Sequence, residues 1–294
     1  MNTSQHAYIA GASQSALQHH YDVGNEFYTL WLDTQLLSYT CALWEQDDET
    51  LETAQLHKVR YHCQQVKVET AKRILDIGCG WGGLLKYVVE TYHVERAVGL
   101  TMNQPHKEWV EALSHANIDI RIENWASHCP EELYDVVFAW GVLEHAATLT
   151  LSAAEKVRAY RQLFSRCHAW LQPGGRLSLQ TIARGNMRRE DVNRFIITEI
   201  FPESDLPSLT DIAKASERLF EVVAIRNDRE DYVRTCRAWL RRLKANREKA
   251  TQLVGEEVVR SYEKYLQLSL LGFYLGTAHL LRITLHRIDA PRGA

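Results

Sequence analysis

The chain has 294 residues, 46% apolar and 24% charged, ordinary proportions for a globular protein that can bury a core without disulfide or metal staples. Its 34 Lys and Arg against 37 Asp and Glu leave a net charge of -3, which excludes general nucleic-acid binding, where many phosphate-neutralising cations are needed. The six cysteines, at 41, 63, 79, 129, 167 and 236, form neither a CxxC pair nor a metal-ligand spacing, so no metal and a reduced, cytoplasmic protein are expected.

The first 20 residues lack the charged start and apolar run of a signal peptide. In the middle of the chain, apolar β-type runs alternate with helical patterns, as in an α/β fold with a mainly parallel sheet. Strands are expected at Arg73–Ile77, Ala97–Thr101, Ile118–Glu123, Tyr134–Trp140 and Arg176–Ile182. The helix before the last of these stops at the breaker Pro173-Gly174-Gly175. Further strands fall at Phe220–Arg226 and Leu280–His286, with helices over Asp231–Leu253 and Glu256–Tyr274 between them. In the last strand Leu281, Ile283 and Leu285 alternate with Arg282, Thr284 and His286, the pattern of a half-buried strand. Residues 265–285 are apolar but interrupted by Gln267, Ser269, Gly272, Gly276, His279 and Arg282, which suits core better than a membrane span.

The run Ile74-Leu75-Asp76-Ile77-Gly78-Cys79-Gly80-Trp81-Gly82-Gly83 is a strand entering a glycine turn that opens a helix. Glycine suits such a turn because the backbone needs positive φ and a ligand must approach it closely. A dinucleotide site also wants an acid about 20 residues on, to hold the ribose, and Ala97–His106 contains none. LDIGCGWG instead resembles motif I of S-adenosylmethionine (SAM) dependent methyltransferases.

A second set of segments narrows the resemblance. YDVGNEFY (21–28), LSYTCALW (37–44), LETAQLHK (51–58), GLT (99–101), GVLEH (141–145), IFP (200–202) with LPS (206–208), and DYVRT (231–235) occur in order. Together they resemble the cyclopropane-fatty-acid and mycolic-acid cyclopropane synthases over roughly residues 18–288. The resemblance implies a seven-stranded class I SAM-methyltransferase (Rossmann-like) sheet in a single domain. Residues 1–70 would form an N-terminal helical cover, 71–182 the SAM-binding core, 183–219 an insertion over the active site, and 220–294 the C-terminal strands and helices.

The implied reaction transfers the SAM methyl to an alkene carbon of a lipid-like acceptor. The resulting carbocation closes a cyclopropane or leaves a methyl branch, with a bound bicarbonate taking the proton. By the resemblance, Cys41, Glu144, Tyr232 and Gln180 are the catalytic set. Tyr39, Thr40, Asp76, Gly78, Cys79, Gly80, Thr101, Gln104 and Trp125 contact the cofactor. Four positions depart from the family: Gln180 stands for histidine in LQTI, Trp140 for a small aliphatic residue, His106 for the cofactor-side glutamine unless Gln104 serves, and Ala126 for an acid. Glutamine can donate to bicarbonate but cannot carry charge or shuttle a proton. These departures keep open a small-molecule C- or N-methyltransferase on the same fold; a SAM-binding regulator is the third alternative. Arg237, Arg241, Arg242, Lys244, Arg247 and Lys249 form a basic segment suited to a solvated face or to an anionic lipid or carrier.

Overall fold

The computed structural model describes residues 23–188 and 204–289. Residues 189–203 of the expected insertion lie outside them. Seven strands form one sheet in the order β3-β2-β1-β4-β5-β7-β6. They are β1 (Arg73–Ile77), β2 (Arg96–Thr101), β3 (Ile118–Ile122), β4 (Tyr134–Trp140), β5 (Leu171–Arg184), β6 (Phe220–Asn227) and β7 (Ala278–Arg287). The first five run parallel, and β7 is antiparallel to both β5 and β6. This is the seven-stranded α/β sheet expected of a class I SAM methyltransferase. Its order reverses at β1, where open α/β sheets place ligands beyond the carboxyl ends of their strands.

Helices α1 (Asn25–Thr29) and α2 (Leu51–Val66) precede β1, and α3 (Gly83–Tyr92), α4 (Gln104–Glu111) and α5 (Ala153–Trp170) join the parallel strands. After β5 come α6 (Leu209–Ser216), α7 (Arg229–Ala245), α8 (Arg247–Val254) and α9 (Glu256–Tyr274). Ser152 begins α5 with a reciprocal capping box to Glu155, which satisfies two otherwise orphan donors. One face of the sheet packs Leu163, Phe164 and Trp170 of α5, and the other packs Leu85, Val88 and Val89 of α3. A further cluster joins Phe27, Trp31 and Leu51 of the N-terminal segments to Trp239 of α7 and Tyr262 and Leu266 of α9.

Three local expectations change. Helix α5 ends at Trp170, and Pro173-Gly174-Gly175 lies inside β5 as an irregularity in its pairing with β4. The helix expected over 231–253 is broken at Asn246, whose side-chain amide donates to the carbonyls of Leu30 and Arg242 at 2.9 and 3.0 Å. Strand β7 is not half-buried: it lies between β5 and β6, and Arg282 and Thr284 are 1% and 4% exposed. Among the described residues no helix is long and apolar enough to cross a membrane.

Candidate active site

A cavity of about 670 Å³ opens at the carboxyl ends of β1, β2, β4 and β5. Its first wall is the glycine turn. The amides of Gly78 and Cys79 both donate to the Leu100 carbonyl, at 2.9 and 3.0 Å, which ties the turn to the end of β2. Gly78, Gly80 and Gly82 have φ of 75°, 52° and 74°, the left-handed region that glycine enters without steric cost. A Cβ built on Gly80 would meet nothing within 4 Å, so the turn leaves bare backbone against open space. Asp76 lies beside it, buried and lining the cavity. Burial pushes its carboxyl up to about 8, against the pull of the Lys58 ammonium.

The roof is the segment 36–40. Asp33 shapes it by accepting the amides of Leu36 and Ser38 at 2.6 and 2.7 Å. Lys58, buried on α2, donates to Thr40 Oγ1 at 2.9 Å and to Ser38 Oγ. Burial drives the Lys58 ammonium down to about 7. Tyr39 is held edge-on against Trp31 at 5.2 Å and tilted on Trp239 at 5.3 Å. Tyr39 and Thr40 line the cavity, as do Cys79, Thr101 and Trp125. Gln104 does not: it is exposed on α4 and donates to Glu108 at 2.9 Å. His106 lines the cavity instead, packed on Trp81 with ring centres 4.4 Å apart.

The far wall carries Glu144, Gln180 and Tyr232. Glu144 sits in the 3-10 turn Leu143–His145 that follows β4. Its Oε1 accepts the Ile182 amide at 2.6 Å, while Oε2 is buried and has no hydrogen-bond partner among the described residues. Burial pushes this carboxyl up to about 7, against the Ile182 amide. His145 turns its Nδ1 to Ser204 Oγ at 2.7 Å, and burial lowers its imidazole to about 4. Tyr232 stacks on Phe273, 4.2 Å between centres with rings 22° apart. Leu268, Leu271 and Leu275 continue this wall; Leu271 and Leu275 are 47% and 59% exposed where α9 ends.

Cys41 is fully buried and is not among the residues lining the cavity. Its thiol donates to the Ala42 carbonyl at 3.2 Å and lies 3.6 Å from an Arg282 nitrogen and 4.0 Å from Thr235 Oγ1. Burial pushes the thiol up to about 12, even beside Arg282, so it stays protonated and is no proton acceptor at neutral pH. Phe273 lines the cavity, whereas Phe27, Trp31 and Trp44 pack outside it. The basic segment is partly neutralised: Arg242 pairs with Glu52, and Arg247 with Glu256 and Glu263.

Four residues around this wall were missed in the sequence. The buried His62, Arg282 and Lys58, with the partly buried Asp228, form a polar group behind Gln180 and Thr40. Lys58 and His62 share one face of α2 at a spacing of four, which is a local signal. Arg282 carried the opposite signal, because strict alternation reads as a solvated face.

A family of known proteins, described as "Mycolic acid cyclopropane synthetase", matches residues 10–283 of this chain. The S-adenosylmethionine-dependent methyltransferase UmaA of Mycobacterium tuberculosis is 31% identical over 264 residues, 84% of this chain and 88% of that protein. Cyclopropane mycolic acid synthase 3 of the same species is 30% identical over 269 residues, covering 85% and 89%. Among solved structures, mycolic acid cyclopropane synthase CmaA1 complexed with SAH and CTAB superposes with a TM-score of 0.84 at 28% identity, covering 94% of this chain and 99% of that one.

Proposed function

The chain belongs to the mycolic acid cyclopropane synthetase family of SAM-dependent methyltransferases, and we propose that its acceptor is an unsaturated acyl chain of a lipid. One observation carries the acceptor: the cavity is continuous from the glycine turn to an apolar mouth at Leu271 and Leu275. A polar small molecule gains nothing from such an exit, whereas an acyl chain buries it. The relatives named for mycolic acids support the same choice over a small-molecule acceptor.

The residues present fit SAM. Gly80 leaves space a Cβ would fill, and the buried Asp76 carboxyl faces the cavity with only Lys58 to offset it, a setting that favours a cationic ligand. SAM supplies a methyl group on a sulfonium that is its own leaving group. Gly78, Gly80, Asp76, Thr101, Tyr39, Thr40 and Trp125, all on the cavity wall, would hold the cofactor. The roof excludes water and fixes the direction of approach, the main contributions such a transfer asks of a protein.

Methylation of an alkene leaves positive charge on the acceptor, which must then shed a proton. Glu144 is the buried carboxyl on the acceptor wall, with Oε2 open and its pKa near neutrality, conditions that suit proton acceptance. Tyr232 and Gln180 beside it offer hydrogen-bond donors. Bicarbonate fits this corner, since its hydroxyl matches the orphan Glu144 Oε2 and its oxygens match the two donors. Cys41 shapes the corner through its backbone rather than its thiol. Residues 23–70 act as cover to a single methyltransferase domain, and the exposed Arg237, Arg241, Lys244 and Lys249 offer a weak attraction to anionic headgroups. Six free thiols support work in a reducing cytoplasm. Incubation with methyl-labelled SAM and unsaturated phospholipid vesicles, beside small amines as competitors, tests the acceptor: label in the lipid is expected, and label only in the amines would refute it.

A further inference from the structure

Gln180 faces a buried arginine. The β5–β7 register sets Gln180 directly opposite Arg282, and Arg282 is 1% exposed. Its Nε donates to Asp228 Oδ2 at 2.7 Å, and its Nη2 to the Ala42 carbonyl at 2.8 Å. Its Nη1 donates to Gln180 Oε1. A guanidinium has only donors, so the Gln180 atom turned toward it must be the oxygen.

A histidine holds the same guanidinium. His62 Nε2 lies 3.3 Å from Arg282 Nη1, and since a guanidinium only donates, Nε2 accepts. Burial, with the Arg282 and Lys58 charges nearby, keeps the imidazole neutral, so the ring's one proton sits on Nδ1 and is donated to Ser178 Oγ at 2.8 Å. Ser178 Oγ also accepts the Trp140 indole N–H at 3.1 Å. Arg282 Nη1 thus faces Gln180 Oε1 and His62 Nε2 together.

We propose that Arg282, itself held by Asp228, the Ala42 carbonyl and His62, is a positioning residue that fixes the Gln180 oxygen, so that its NH2 group is what the acceptor side of the cavity meets. The proposal rests on the methyltransferase reading above and deepens it. This wall then donates to a carbonyl- or carboxyl-type oxygen, from bicarbonate or from the ester of the acyl acceptor, and takes no proton itself. Proton acceptance falls to Glu144 or to a bicarbonate bound beside it.

Two measurements decide this. In the unaltered protein, 15N NMR of the His62 ring is expected to show a protonated Nδ1 and a bare Nε2 at neutral pH; a protonated Nε2 would set donor against donor at Arg282 and overturn the arrangement. Gln180→Glu keeps the shape and still accepts from Arg282, but presents an acceptor to the cavity. Its Tm is expected within about 2 °C of the unaltered protein, with SAM affinity unchanged and kcat lowered about 100-fold. Turnover within about threefold of the unaltered rate, or an equal loss of SAM affinity, would contradict the proposal. A kcat loss confined to bicarbonate-saturated assays assigns the oxygen to bicarbonate, and a rise in acceptor KM without bicarbonate assigns it to the ester. Should the unaltered protein transfer no methyl to lipid, the functional reading fails while the His62 tautomer still judges the arrangement around Arg282.

Discussion

Glu144 gives one carboxyl oxygen to the Ile182 amide at 2.6 Å and keeps the other buried and, among the described residues, unpartnered. Strand β5 thereby aims a carboxyl at the acceptor wall while burial holds its pKa at about 7. A proton acceptor must be ionised to work, so kcat should rise with pH along a limb near 7, and Glu144→Gln should lose about 100-fold or more and flatten that limb. Stability follows with its own sign. Between the unfolded value of 4.5 and about 7, the folded state binds more protons than the unfolded one, so the unaltered protein loses stability as pH rises through that window. Glu144→Gln lacks this loss, and denaturant titrations above pH 7 should find it more stable, on the order of 2 kcal/mol.

Asp76 should make cofactor binding depend on pH. Its carboxyl ionises near 8, and a cationic ligand binds better once it has. As pH rises from 6.5 to 8.5, Lys58, near 7, also loses its opposing charge. Calorimetry should therefore show SAM affinity increasing across that range. In Asp76→Asn the affinity should be about tenfold lower and the rise much reduced. A steeper rise in the variant than in the unaltered protein would refute the assignment.

Gly83 begins α3 directly beneath the roof, where an added Cβ would land on the Leu36 carbonyl oxygen. The collision is with backbone, so relief requires the whole cover to lift. Gly83→Ala should lower Tm by about 5 °C or more, in line with a cost of about 2 kcal/mol. SAM affinity should fall with it, because Tyr39 and Thr40 move with Leu36. An unchanged Tm, read by differential scanning fluorimetry, would show that the cover is not seated on α3.

Cys41 offers a contrast with Glu144. Its protonated thiol points toward Arg282 and Thr235 rather than the cavity. Steady-state assays of Cys41→Ala should retain kcat within about tenfold, the scale of a disturbed neighbour rather than a lost acid–base group. A loss as large as that of Glu144→Gln would place the thiol in the chemistry.

The glycine turn, Glu144 beyond β4 and Tyr232 could be found from local motifs, because each sits within a short strand–turn or helix signature. What lay behind them could not. Arg282 looked solvent-facing because alternation within β7 carries no record of what covers that face of the sheet, His62 and Ala42 more than 200 residues upstream. The orientation of Cys41 depends on Arg282 and Thr235, about 240 and 194 residues away, and no spacing within LSYTCALW encodes it. His62 met the same limit: its neighbour Gln180 lies 118 residues downstream. Substitution of a family histidine at 180 was legible as a departure, whereas the polar group that accommodates the glutamine required the β5–β7 register.

The central claim is methyl transfer to an alkene of an acyl chain at the wall formed by Glu144, Gln180 and Tyr232. The most direct measurement is NMR of lipid recovered after incubating the protein with methyl-13C SAM and monounsaturated phospholipid. The account predicts the label in a cyclopropane methylene or a methyl branch at the former double bond, and its disappearance with Glu144→Gln. Unlabelled acyl chains in the presence of a protein that binds SAM saturably, or label only on a headgroup nitrogen, would contradict it.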